Sequence, residues 1–243
     1  MAPDAVVRYA PHDDGIVDVH LPTSGTTEPA PLVILLHGGF WKQAYDRTHT
    51  RPLAAALAHQ GYIVATPEYR RVGGGGGWPT TLDDVDTAVG AVPALLAGLG
   101  VDVTRTVVAG HSAGGHLALW IGGTHHRPSR VVGLAPVSDL RAAARDRLGD
   151  GATQALLGGE PDEVPDRYDA VDPFLRLATP PGCPVVVVHG TDDDAVPVAH
   201  SRRLAQTHPH VELRELPGTG HFAVIDPASH AWTTVLDAIG RAA

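Results

Sequence analysis

A single cysteine, Cys183, among 243 residues leaves no intrachain disulfide to form. It stands in Pro181-Gly182-Cys183-Pro184 at the entry to an apolar run, with no candidate catalytic histidine nearby in sequence, and reads as a buried small hydrophobe. Lysine is equally scarce, Lys42 being the lone one. With 18 basic against 27 acidic residues the formal net charge is −9, which argues against nucleic acid or an anionic membrane surface as partner. No apolar run approaches bilayer-spanning length and Met1 to Gly15 has no signal-peptide core, so the expected location is the cytoplasm. No G-K-S/T phosphate loop occurs. The glycine run Gly73 to Gly77 lacks the strand-to-helix spacing of such a loop and reads as flexible surface. His125-His126 and His208-x-His210 lack a third ligand at a convincing spacing, so neither a metal nor an organic cofactor is expected.

What is present is ordinary for a soluble globular protein, 43% hydrophobic and 19% charged, at a length that suits one α/β domain over residues 1–243. Val6 to Tyr9 and Ile16 to Leu21 predict an antiparallel hairpin, followed by a loop from Pro22 to Pro31. Leu32 to Leu36, Tyr62 to Thr66, Arg130 to Leu134 and Pro184 to His189 read as buried parallel strands. Between them, Pro52 to Gln60 predicts a helix closed by Gly61. Thr80 or Thr81 is the expected cap of a long helix with Leu82, Val85, Val89, Val92, Leu95, Leu96 and Leu99 on one face. A final helix is expected from Ala228 to Ile239. Residues 136–182 break the alternation with short charged helical pieces (Leu140 to Leu148, Thr153 to Leu157) separated by Gly and Pro, and form an expected insertion.

The chemistry concentrates in three segments. The run Thr106 to Ala109 leads into Gly110-His111-Ser112-Ala113-Gly114, and an apolar helix continues beyond. Strand, G-x-S-x-G, helix describes a sharp turn that lifts a serine hydroxyl above a sheet edge, although a helix start capped by Ser112 uses the same residue types. His37-Gly38-Gly39-Phe40-Trp41 follows a strand, and a glycine pair there exposes backbone N–H groups suited to an oxyanion. Far downstream come Asp192-Asp193-Asp194 and then Gly220-His221-Phe222. The order is oxyanion loop, serine, acid, histidine.

Over nearly its whole length the chain resembles a small α/β-hydrolase of the esterase and acylaminoacyl-peptidase-like type. The resemblance rests on His37 to Trp41, Tyr69-Arg70, Trp78-Pro79 with Asp83-Asp84-Val85, Gly110 to Gly115, His189 to Pro197 and Gly220 to Phe222. Within that superfamily, H-G-G-x-W and the ending from His221 to Asp226 are similar to kynurenine formamidases. The resemblance implies a mostly parallel sheet flanked by helices, with a cap at 136–182. It implies Ser112 as nucleophile and His221 as base. Lining up His189-Gly190-x-x-Asp-x-x-Val196-Pro197 selects Asp193 as the acid, ahead of Asp192 and Asp194. Gly39, Phe40 and Ala113 would supply oxyanion donors. Trp41, His111 and Phe222 are candidate pocket residues, while His37 is expected to tie down its loop and His189 to pack. The implied substrate is a small ester or amide with a short acyl group. For a formylated aromatic amine bearing a carboxylate, Arg141, Arg145 or Arg147 of the cap are candidate partners. The alternatives are an acylaminoacyl-peptidase-like hydrolase and a catalytically silent hydrolase fold that binds a ligand.

Overall fold

A computed structural model describes residues 2–23 and 29–240. The middle of the expected loop from Pro22 to Pro31 lies outside those residues. Eight strands form one sheet: β1 (Ala5–Arg8), β2 (Ile16–His20), β3 (Ala30–Leu36), β4 (Ile63–Pro67), β5 (Val103–His111), β6 (Arg130–Leu134), β7 (Val185–Gly190) and β8 (Val211–Leu216). Their spatial order is β1-β2-β4-β3-β5-β6-β7-β8. β2 runs antiparallel to β1 and β4, with Val7 opposite Val17 and Val19 opposite Ala65. From β4 to β8 every pairing is parallel. β3 is buried along its whole length, as a central parallel strand covered on both faces must be.

Strand periodicity sends alternate residues to opposite cores. Leu32, Ile34 and Leu36 join a cluster with α2 (Thr80–Gly98) and α3 (Ala113–Gly122), whereas Val33 and Leu35 join one with α1 (Arg51–His59) and α9 (Trp232–Ile239). α8 (Val198–Thr207) covers the first face through Leu204. At the sheet edge β8 exposes Glu212 and Glu215, with Arg214 half-buried between them, which discourages pairing with another chain. No helix among the described residues is long and apolar enough to cross a membrane.

Several local expectations change. α2 has no threonine cap. Thr81 Oγ1 instead donates to Arg70 O at 2.7 Å and accepts from Gly77 N at 2.9 Å. Leu99 lies past the last turn, half exposed. α9 starts at Trp232, not Ala228, because Asp226 and Ser229 close turns first. The Gly73 to Gly77 segment is a hydrogen-bonded turn with a tight fit. Gly74 N and Gly76 N both donate to Arg71 O, and a Cβ on Gly76 would lie 2.3 Å from the Arg70 carbonyl.

The insertion contains α4 (Leu140–Arg145), α5 (Leu148–Leu157), α6 (Pro165–Val171) and α7 (Pro173–Arg176). Positive φ at Gly149, Asp150 and Gly151 falls in the expected break between the helical pieces, while that at Arg147 ends the first piece earlier than expected. It is tied to the body by His116 Nε2, which donates to Val171 O at 3.0 Å, and by Trp78 N on Leu156 O at 2.7 Å. Asp172 gathers the insertion's helices by accepting the amides of Leu140, Arg141 and Phe174. Burial nevertheless pushes its carboxyl up to about 6.

Candidate active site

Ser112 sits between the end of β5 and the start of α3 at φ 57°, ψ −118°. That left-handed backbone costs a non-glycine residue on the order of 1–3 kcal/mol and persists only where its surroundings impose it. Here Ser112 N donates to Leu134 O at 2.9 Å, and Ser112 O accepts from His116 N at 3.0 Å. The flanking glycines are obligatory. A Cβ on Gly110 would lie 2.1 Å from Gly114 O, and one on Gly114 would lie 2.1 Å from Leu36 O. Strand, helix and neighbouring strand therefore meet backbone to backbone around the serine.

The loop after β3 carries three successive positive φ angles, 109° at Gly39, 51° at Phe40 and 55° at Trp41. Beneath it lies a buried network. His37 Nε2 meets Glu68 Oε1 at 2.8 Å, and Tyr69 stacks on His37 at 4.3 Å between ring centres while its hydroxyl donates to His37 O. Glu68 also accepts the Arg47 amide and the Arg71 guanidinium. Burial alone would raise its carboxyl, yet the His37 hydrogen bond and charge, the Arg47 amide and Arg71 outweigh burial and hold it at about 2. His37 thus anchors its loop, as expected. The loop lies against the serine, a Cβ on Gly38 reaching within 3.1 Å of Ser112 Cβ. Among the described residues, the amides of Gly39, Phe40 and Ala113 have no acceptor.

Of the three consecutive aspartates, Asp193 faces the histidine. His221 Nδ1 donates to Asp193 Oδ2 at 2.7 Å. The same oxygen takes His189 Nε2 at 3.1 Å, and Oδ1 takes the amides of Ala195 and Val196 at 2.9 and 2.8 Å. Burial pushes this carboxyl up, but the hydrogen bonds from His189, His221 and Val196 win and hold it far below the usual range. Asp192 instead accepts from Thr191. His189 goes beyond packing: its Nε2 faces two acceptors, Asp193 and Val196 O, so it carries the proton, while Nδ1 accepts from Ser201 Oγ at 2.8 Å. Gly190 lets the His221 turn approach, because any Cβ there would lie 1.9 Å from Thr219 O.

Ser112 and His221 line one cavity of about 400 Å³ with Gly39, Phe40 and His111. Phe222, 68% exposed, forms part of its mouth. His111 donates from Nε2 to His221 O at 3.0 Å, and burial, reinforced by the charge of His221, pushes its imidazole down to about 3. It therefore stays neutral and holds the His221 backbone. Trp41 is a correction. It is fully buried, edge-on to His116 at 5.2 Å, and does not line the cavity, because the left-handed turn at residues 40 and 41 sends the two aromatics different ways.

Tyr45, His49, Ala195 and Ile225 also line the cavity, and none stood out in the sequence. The first two belong to a segment with no periodic signal that is folded over the site by the Glu68 network. The three arginines of the insertion are elsewhere: Arg141 pairs with Asp169 at 2.6 Å, Arg145 lies 3.5 Å from Asp146 and Arg147 lies 3.7 Å from Glu160. A larger cleft of about 570 Å³, bounded by Gly122, Arg127, Arg176 and Cys183, has neither a histidine nor a carboxylate in its lining.

Known proteins place this geometry in context. Esterase LipC of Mycobacterium tuberculosis is 28% identical over 263 residues, covering 97% of this chain and 65% of its own, so the chain spans less than two thirds of that relative. Kynurenine formamidase of Salmo salar is 27% identical over 228 residues, covering 90% and 75%. The solved structure of a truncated carbohydrate esterase from gut microbiota superposes with a TM-score of 0.83 at 19% identity, each chain covered to 98%. The fold is that of the α/β-hydrolases. Residues 17–207, most of the chain, match the BD-FAE family, and the chain belongs to it.

Proposed function

We propose that this chain is a serine carboxylesterase acting on small, short-acyl esters. The observation that carries the reading is the His221–Asp193 hydrogen bond beside a strained serine that shares its cavity. Ser112 Oγ attacks the substrate carbonyl as His221 Nε2 takes its proton, and the carbonyl π electrons move onto oxygen. The free amides of Gly39, Phe40 and Ala113 receive that oxyanion, helped by the positive end of α3. As the tetrahedral species collapses, the bond to the leaving alcohol breaks and His221 returns the proton to it. Water then repeats the sequence on the acyl-enzyme and releases the acid. Asp193 holds Nδ1–H so that Nε2 is the free nitrogen. The insertion acts as a fixed wall, since Gly149 packs so close to the Phe40 ring that a Cβ there would lie 2.7 Å from it.

The formamidase reading has the Salmo salar relative and H-G-G-x-W in its favour. Against it, the cavity lining offers no arginine or lysine for a substrate carboxylate. A fluorophosphonate probe should label the wild-type chain and leave Ser112→Ala unlabelled, with turnover of p-nitrophenyl acetate falling roughly 10⁴- to 10⁶-fold in the variant. Labelling that survives the substitution, or a wild type that is never labelled, defeats the mechanism; the latter points to a silent binding protein.

A further inference from the structure

The turn after α3 gathers side chains that the ester chemistry does not use. Asp86 projects from α2, and His125 and His126 follow the last turn of α3. One ligand atom from each lies within 4.8 Å of the other two. The imidazole centres are 4.2 Å apart with planes tilted by 36°, and His126 Nε2 donates to Asp86 Oδ1 at 2.9 Å. The arrangement is held from both sides. Gly90, one turn beyond Asp86, packs close under the His126 ring, where a Cβ would lie 3.2 Å from it, and Arg127 at φ 48° reverses the chain directly afterwards. The sequence offered only an adjacent histidine pair; α2 supplies the third ligand from 40 residues away.

We propose that Asp86, His125 and His126 bind one divalent transition-metal ion of the zinc type, with water completing its shell. Two imidazoles and one carboxylate suit Zn²⁺, Co²⁺ or Ni²⁺, whereas Ca²⁺ and Mg²⁺ demand a shell of oxygens. A surface ion pair accounts for His126 and Asp86 alone. It makes no use of His125, which is exposed, has no hydrogen-bond partner among the described residues and turns its ring to the same pair, 4.2 Å from that of His126. Asp83 and Asp86 line one cleft of about 530 Å³ with His125, and Arg176 on the same lining offsets only one of the two carboxylates. The ion would staple α2 to the end of α3. Ser112 lies at the other end of that ten-residue helix, about 15 Å away, so the staple stands apart from the ester chemistry.

The test is calorimetric titration of metal-stripped full-length protein with ZnCl₂, with thermal melts in parallel. One Zn²⁺ per chain in the micromolar range and a raised Tm are expected. His125→Ala and Asp86→Asn should each weaken binding about tenfold or more, with ester turnover unchanged, while His210→Ala binds as the wild type does. No saturable binding, binding unchanged in His125→Ala, or Ca²⁺ bound as tightly as Zn²⁺ would each overturn the proposal.

Discussion

Asp193 receives four N–H donors, and they are not equivalent in consequence. The bond from His221 sets an imidazole tautomer, so Asp193→Asn should lower kcat by roughly 10²- to 10⁴-fold by offering an N–H where an acceptor is needed. The bond from His189 positions the carboxylate and touches no substrate. Removing one charge-assisted hydrogen bond costs about 1.5–3 kcal/mol, so His189→Leu should lower kcat roughly 10- to 150-fold at nearly constant KM. His189→Gln, whose amide can still donate to Oδ2, should recover most of it. Equal losses in both variants, or a loss carried by KM, would show that His189 only fills space. At this scale the sequence marked Ser112 by its flanking glycines, and the family resemblance pointed to His221 and Asp193; the structure brings His221 against Asp193 and into one cavity with Ser112. Trp41 was misplaced because no pattern reports a left-handed φ at an aromatic residue. His49 and Tyr45 were missed because only tertiary packing brings their segment to the cavity.

Elements were legible where periodicity is strong. The buried strands and the apolar face of α2 follow from runs and spacings, whereas cap positions do not, because Thr81 is drawn to Arg70 O by a contact eleven residues distant. The network at the end of β4 was equally invisible, since it joins His37, Arg47, Glu68 and Arg71 from three segments. Its thermodynamic signature is calculable. The Glu68 carboxyl is held at about 2 in the folded chain against an ordinary value of 4.5. Between those values the unfolded chain binds more protons, so stability rises with pH through that window and is lost as pH falls through it. For a group this buried the contribution is on the order of 3 kcal/mol. Glu68→Gln should therefore be less stable than the wild type at pH 7 and lose less stability between pH 6 and pH 2, with Asp193 supplying part of the remaining slope. Urea unfolding across that range measures it; parallel slopes in the two proteins would remove Glu68 from the account.

At the scale of the molecule, the sheet brings the ends of β3, β5 and β7 together, so segments near residues 40, 112 and 193 enclose one cavity. The parallel class of the sheet could be read from its uninterrupted apolar strands, but the adjacency of α2 to the turn at His125 could not, since nothing local encodes a helix-to-turn contact. The cavity's size bears on the proposed short-acyl preference. An apolar cavity of 150 Å³ holds a benzene ring, so about 400 Å³ takes an aromatic leaving group together with a short acyl chain. In the proposed ester pose Phe40, next to the oxyanion amides, borders the acyl group, and Gly149 packed behind its ring keeps it from swinging away. A clash of a few methylenes is worth about 1–3 kcal/mol, so kcat/KM should fall roughly 10- to 200-fold from p-nitrophenyl acetate or propionate to the octanoate. Phe40→Ala should flatten that profile by admitting the longer chain while leaving acetate turnover within an order of magnitude, because its backbone amide remains in place. A wild-type rate that climbs toward octanoate would refute the narrow acyl side. N-formylkynurenine in the same panel separates the two readings, since a cavity without a cationic partner should cleave it far more slowly than the acetate ester, and the reverse order would make this chain a formamidase.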